Sequence, residues 1–282
     1  MSFAPTKAPT LAPTLPLNDG RVMPQLGLGL YQIPRPETAA LIRQAVGFGY
    51  RLFDGAAMYG NEAEMGEGVR SAGVPRDEIF VTTKIWNDHH GRARARRAVE
   101  ESLARIGLDR IDLCLIHWPC PANDLYVETW QTLIEMREEG HLSSIGVSNF
   151  EPDHLDRIIG ETGVTPVLNQ IELHPRMQQE AMRKANAERG IVTQSWTPLG
   201  RGAAFDAPEI RAIAERLGCS PAQVILRWHL QLGLSAIPRS TKPAHVEANF
   251  GALGIELTED DMAAIGSLEA GRRIGPSPDS MT

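Results

Sequence analysis

Cysteine is nearly missing from this chain. Three residues, Cys114, Cys120 and Cys219, stand among 282, without the even count or close spacing of a disulfide framework, so a reducing compartment, the cytoplasm, is expected. Long apolar runs are missing too. None approaches the roughly 20 residues that span a bilayer, and a membrane protein is not expected. Basic charge is in deficit, with 28 Lys and Arg against 35 Asp and Glu and a net charge of -7. That balance argues against a nucleic-acid partner and leaves room only for a local basic pocket holding one small anion. His89 and His90 are adjacent rather than at metal-ligand spacing, and no His-x-His pattern occurs, so no metal is expected. The opening stretch MSFAPTKAPTLAPTLPL has neither the basic nor the apolar region of a targeting peptide. Its spaced prolines and small residues read as a flexible tail over residues 1–14.

What remains is ordinary for a globular enzyme or binding domain: 42% hydrophobic and 22% charged residues. The turn signal Asn18–Gly20 predicts an N-terminal β-hairpin. Eight short apolar runs follow, near Leu26–Tyr31, Arg51–Asp54, Ile79–Lys84, Ile111–Trp118, Ser143–Asn149, Pro166–His174, Val192–Pro198 and Ser235–Ser240. Segments with helical spacing separate them; in Gly91–Gly107, Ala98, Leu103 and Ile106 share a face opposite the arginines. Eight strands alternating with helices predict a (β/α)8 TIM barrel, a single domain over residues 15–282. A doubly wound sheet is the alternative, but GLGLYQIP lacks the third glycine of a dinucleotide fingerprint.

In such barrels the site lies at the carboxyl ends of the strands. Asp54, Lys84 and His117 end three successive apolar runs, and Tyr59 follows Asp54 in a glycine-flanked turn. Singly, each has a plain structural explanation: a helix cap, a snorkelling amine, a core histidine, a packed aromatic. Together they need one another, because buried charge persists only when paired. The set suits proton donation from a phenol. A tyrosine titrates near 10, and an adjacent ammonium stabilises its phenolate and lowers that value. Asp54 would keep Lys84 charged, Lys84 would serve Tyr59, and a neutral His117 would orient a substrate carbonyl.

The segments FDGAAMYGNE, VTTKIW, LIHWP, SIGVSNF, NQIELHP, WTPLGRG and IPRSTKPAHVEANF, in this order, resemble the aldo-keto reductase family from about Leu17 to Pro278. Through KIWND, HWPCPANDLYVETW and LRWHLQLG the likeness is nearest to the bacterial 2,5-diketo-D-gluconic acid reductase group. The resemblance implies a barrel that binds NADPH, with NADH also usable, without a Rossmann domain. It also implies reduction of small aldehydes, ketones or keto sugars to alcohols, by a monomer. Relatives that serve as channel subunits or lens proteins keep a binding-module reading open, and a metal-dependent barrel hydrolase is a second rival.

Carried over by motif, Ser148, Asn149 and Gln170 would hold the nicotinamide amide, and Trp196 would stack on its ring. Leu199, Gly200 and Gly202 would let backbone approach the pyrophosphate. Arg239, Ser240, Thr241, His245 and Asn249 would surround the adenosine 2'-phosphate. His245 departs from the arginine common at that place, and a histidine offers no bidentate fork, so a weaker NADPH preference than the family norm is expected. Tyr31, Met58, Trp86 and Trp118 would wall the carbonyl. Gly55 replaces the usual threonine, a change expected to loosen the Asp54 turn without touching the four central residues. The tail after Arg273 is too short for an extended lid.

Overall fold

The computed structural model describes residues 10–281. The expected tail falls outside the described residues up to residue 9, and Thr14 already belongs to a strand. Strands β1 (Thr14–Pro16) and β2 (Val22–Pro24) pair antiparallel around Asn18–Gly20, with Gly20 at φ 86° supplying the left-handed turn position. This hairpin plugs the amino-terminal end of the molecule. Leu17 and Met23 are buried against Leu52, Leu113 and Leu168, Asn18 Nδ2 donates to Pro166 O at 2.9 Å, and Ser144 Oγ donates to Asp19 at 2.6 Å.

Eight parallel strands follow: β3 (Leu28–Gly29), β4 (Leu52–Asp54), β5 (Phe80–Ile85), β6 (Ile111–Ile116), β7 (Leu142–Ser148), β8 (Leu168–Glu172), β9 (Val192–Trp196) and β10 (Ser235–Ala236). Each pairs with its sequence neighbour, and a parallel bridge between Leu26 and Ala236 joins the two edges. The chain is thus a (β/α)8 barrel with an N-terminal hairpin. β3 and β10 are shorter than the sequence suggests. Beyond the closing bridge the backbones meet only at a single bond, Gly29 N to Pro238 O at 3.0 Å, as they turn toward the mouth.

The helices are α1 (Arg35–Phe48), α2 (Glu62–Arg70), α3 (Arg92–Ile106), α4 (Tyr126–Glu138), α5 (Pro152–Thr162), α6 (Glu180–Glu188), α7 (Pro208–Leu217), α8 (Pro221–Gln231), α9 (Pro243–Phe250) and α10 (Glu259–Gly266). α3 shows why they form. Ala95, Ala98, Val99, Ser102 and Ile106 are buried at three- and four-residue spacing, and Gly107 closes the helix at φ 66°. Arg92 and Arg96 on its outer face reach Glu135 and Glu139. The core between helices and sheet includes the fully buried Trp130, Trp228, Tyr50 and Phe53. Among the described residues, no helix is long and apolar enough to cross a membrane.

One outer helix also fixes the mouth. His229 of α8 lies against the connection leaving β9: its Nδ1 is 3.0 Å from Ser195 Oγ and its Nε2 is 2.9 Å from Pro198 O. A carbonyl only accepts, so Nε2 carries the proton and Nδ1 accepts from the serine. Burial pushes this imidazole from 6.5 down to about 3. An unfolded chain therefore takes up a proton between those values that the folded chain refuses. Stability from this ring is complete above about pH 6.5 and falls with pH by about 1.4 kcal/mol per unit. In urea unfolding at pH 7 and pH 4.5, His229→Gln should lose about 2–3 kcal/mol less between the two conditions than the parent; equal losses would refute this.

Candidate active site

The interior of the barrel at its open end is polar, and one cation organises it. Lys84 on β5 is 1% exposed. Its Nζ donates to Asp54 Oδ2 at 2.6 Å, to Gly55 O at 2.8 Å and to Tyr59 Oη at 3.2 Å. An ammonium has three N–H groups, so all are used. The phenol oxygen accepts from Lys84, and its own O–H is left to point elsewhere. Burial works against the Lys84 charge, but Asp54 foremost and Tyr59 more than reverse this and raise its pKa. It is an ammonium at neutral pH.

Asp54 ends β4, and its second oxygen, Oδ1, accepts from Gln170 Nε2 at 2.7 Å. The same amide nitrogen donates to Gln194 Oε1 at 2.6 Å, and Gln194 Nε2 donates to Ser235 Oγ at 2.9 Å. Gln170, Gln194 and Ser235 occupy facing register positions on β8, β9 and β10. A ladder of neutral amides thus crosses the barrel and holds the carboxylate from the side opposite Lys84. Gln194 and Ser235 are absent from the sequence reading. They are found only through register, since Thr193, Gln194 and Ser195 are three polar residues in a row on β9 and β10 is two residues long.

Gly55 does not behave as expected. Its carbonyl is one of the three Lys84 acceptors and its N–H donates to Thr82 O at 2.9 Å. A Cβ there would stand 2.8 Å from Met65 Sδ. The position takes part in holding the lysine and is filled by Met65, which would have to shift to admit a side chain.

Tyr59 sits in a 3-10 turn, Ala57–Tyr59, pinned by the two residues after Gly60. Asn61 Nδ2 donates to Leu30 O at 2.9 Å and Ile33 O at 3.2 Å, which brings the Tyr31 ring within 5.1 Å of Tyr59. Glu62, fully buried, accepts from Thr83 Oγ1 at 2.5 Å, Arg105 Nε at 2.7 Å and Ser102 Oγ at 3.3 Å. The phenol differs from expectation in one respect. Burial raises its pKa, and the Lys84 ammonium lowers it without winning, since the Asp54 carboxylate raises it again. The phenol is therefore protonated in the resting site.

His117 follows β6, with its ring centroid 5.9 Å from that of Tyr59 and 5.0 Å from that of Trp86. Burial first, then Lys84, hold it well below its ordinary pKa, so the imidazole is neutral. Around it stand the exposed Tyr31 and Met58, the half-buried Trp86, and the buried Trp118, whose ring is 6.5 Å from that of Trp196.

The residues assigned to a dinucleotide line the ends of β7 to β10. Ser148 Oγ donates to Gln170 O at 2.8 Å, and Asn149, at φ 61°, donates through Nδ2 to His117 O at 3.0 Å. Asn149 Oδ1 accepts from Trp196 Nε1 at 2.8 Å. Next come Leu199 and the turn Gly200–Gly202, where the glycines take φ 55° and 86°. Arg239 donates to Gln32 Oε1 at 2.9 Å. Ser240 Oγ accepts from Lys242 N at 3.1 Å. Thr241 and His245 lie around the start of α9, while Asn249, in its last turn, is buried. Polar side chains, an indole, a turn with two left-handed glycines and a segment carrying Arg239 thus follow one another along the rim.

Lys84→Met should leave the Asp54 carboxylate buried without its cation and cost about 3–5 kcal/mol of folding stability by urea denaturation. Adding Asp54→Asn should recover a large part of that loss; strictly additive losses would show that the two charges are not partners.

Residues 24–270 match the aldo/keto reductase family. A methylglyoxal reductase DkgA of Escherichia coli (strain K12) is 49% identical over 265 residues, which cover 93% of this chain and 96% of that protein. An aldo-keto reductase of Mycolicibacterium smegmatis is 46% identical over 268 residues, covering 95% and 98%. The crystal structure of a Gox0644 mutant in complex with NADPH superimposes with a TM-score of 0.92 at 44% identity, covering 96% of this chain and 99% of that one.

Proposed function

The chain belongs to the aldo/keto reductase family, and we propose from that premise that it reduces small carbonyl compounds with NADPH, using Tyr59 as the proton donor. One observation carries the assignment: Lys84 Nζ lies 2.6 Å from Asp54 and 3.2 Å from the Tyr59 hydroxyl at the open end of the barrel. The residues along β7 to β10 fit the cofactor. Gln170 spends its amide N–H groups on Asp54 and Gln194, which directs its carbonyl oxygen outward as an acceptor for a carboxamide. When bound, the reduced nicotinamide supplies the hydride.

The chain's own residues supply the proton. Tyr59 is protonated at rest, accepts from Lys84, and keeps its O–H free for a carbonyl oxygen. As that oxygen gains negative charge, the proton passes to it and the phenolate forms beside a fixed ammonium in a poorly solvated site, where the attraction is strong. Asp54, held by the Gln170 ladder, keeps Lys84 charged and aimed. His117, neutral and near the phenol, donates a hydrogen bond that orients the carbonyl. Tyr31, Met58, Trp86 and Trp118 exclude water around a small substrate. The DkgA relatives are methylglyoxal reductases, and a 2-oxoaldehyde of that size suits this aromatic wall.

With methylglyoxal and NADPH, Tyr59→Phe should bind cofactor normally and lose about 10^2–10^4-fold in kcat; full turnover would remove Tyr59 from the proton-donor role. At the phosphate end, His245 in place of an arginine should give a modest preference for NADPH over NADH. His245→Arg should raise the ratio of the two specificity constants about ten-fold, as one charge-assisted hydrogen bond would. An unchanged ratio would place the 2'-phosphate elsewhere.

A further inference from the structure

After α10 the chain does not leave the barrel. Arg272 N donates to Arg176 O at 2.9 Å, and Ile274 and Gly275 meet a carboxylate more than 100 positions earlier. Glu172, the last residue of β8, is fully buried. It accepts from Ile274 N at 2.5 Å and Gly275 N at 2.8 Å, and its Oε1 lies 3.1 Å from His174 Nε2. Burial pushes this carboxyl up, and the His174 bond with the two backbone amides outweighs that and holds it below the ordinary value. The strap then ends in the 3-10 turn Pro278–Ser280, with Pro278 buried. Glu151, at the start of α5, feels both Arg273 and Asp279 of this segment.

Gly275 is wedged between Glu172 and Trp196. A Cβ on it would stand 2.5 Å from Trp196 Cη2 and 3.1 Å from Glu172 Oε2. A side chain there would collide with the ring, so the strap backbone passes close to the six-membered end of the indole. A second hold comes from Asn149, whose Oδ1 accepts from Trp196 Nε1 at 2.8 Å. The ring is therefore held at two points. Without the strap it would keep one hydrogen bond, about which it could pivot.

We propose that Glu172 is a positioning residue for the cofactor: by holding the amides of Ile274 and Gly275 it seats the C-terminal strap on Trp196 and fixes the indole face against which the nicotinamide packs. This rests on the assignment of Trp196 to the nicotinamide. A carboxylate suits the task because it must find donors once buried, and the strap provides two that no other segment supplies. Fixing an aromatic platform before the ligand arrives improves affinity by removing an ordering cost from binding.

The test is a calorimetric titration of the full-length protein with NADPH. Gly275→Ala keeps the Glu172 carboxylate and intrudes chiefly on the indole, while Glu172→Gln turns an acceptor into a donor facing the strap amides. Each should weaken NADPH about five- to ten-fold, with kcat at saturating cofactor little changed, since contacting groups couple through the shared ring. In a Trp196→Leu background neither should alter affinity beyond about two-fold. The same fold-loss persisting without the indole would overturn the proposal, as would normal affinity for both single variants. Should Trp196→Leu itself bind NADPH normally, the stacking assignment fails and takes the inference with it.

Discussion

A lysine ammonium buried at the open end of the barrel is the constraint on which the site depends. Desolvating such a charge costs several kcal/mol, and only close, well-aimed partners offset this. Lys84 satisfies the condition by giving each of its three protons to a different acceptor, Asp54, Gly55 O and Tyr59. The consequence is directional. Because the lysine is a donor to the phenol oxygen, the phenol cannot give its proton back to that lysine, which suits the proposed donation at the mouth. The carboxylate is aimed in turn by Gln170, and Gln170 by Gln194 and Ser235. The ladder is made of neutral amides, so it restrains Asp54 without competing with Lys84 for its charge.

The balance of forces on Tyr59 separates the resting site from the reacting one. Burial outweighs the ammonium in the unliganded protein, so the phenol's pKa is raised rather than lowered. In the proposed role the phenol loses nothing by this, since a donor must hold its proton until a carbonyl arrives. The ammonium would matter as charge develops: the substrate oxygen would take the proton while the phenolate appears beside a fixed cation, and a preorganised charge contributes most in poorly solvated surroundings. His117 is kept neutral by the same burial and the same cation. Burial thus sets the protonation states of both neighbours, with the lysine opposing it at Tyr59 and reinforcing it at His117.

Much of this was legible in the sequence. Strand ends that terminate in Asp54, Lys84 and His117 announce a rim, since three polar termini on successive apolar strands share one end of a parallel barrel. Helix α3 was readable from its spacing, and the hairpin from its turn residues. What the sequence concealed depends on register and long-range contact. Gln194 and Ser235 join the network only because β8, β9 and β10 align them. Gly55 looked like a loosened turn, whereas its carbonyl holds Lys84 and its missing side chain makes room for Met65. The segment after Arg273 is too short for an extended lid, and its length says nothing about the carboxylate that receives it at the end of β8.

That carboxylate belongs to a wider pattern. Asp54, Glu62 and Glu172 are all buried near the open end of the barrel, and each collects donors from segments far apart in the chain. Asp54 draws in β5 and β8, Glu62 draws β5 and α3 beneath the Tyr59 turn, and Glu172 draws the C-terminus across β8 and β9. A buried anion is asymmetric in its effects: satisfied, it contributes a little, but left without donors it costs the whole desolvation penalty. Conformations in which any of these segments drifts are therefore disfavoured steeply. Shape complementarity alone would penalise the same drift gradually, through partial loss of weak contacts. The connections around this mouth are short and carry large aromatic rings on half-exposed turns, with little apolar area of their own to bury. Anchoring them through carboxylates holds the Tyr59 turn and the segments around Trp196 in register without a deep hydrophobic base beneath each loop.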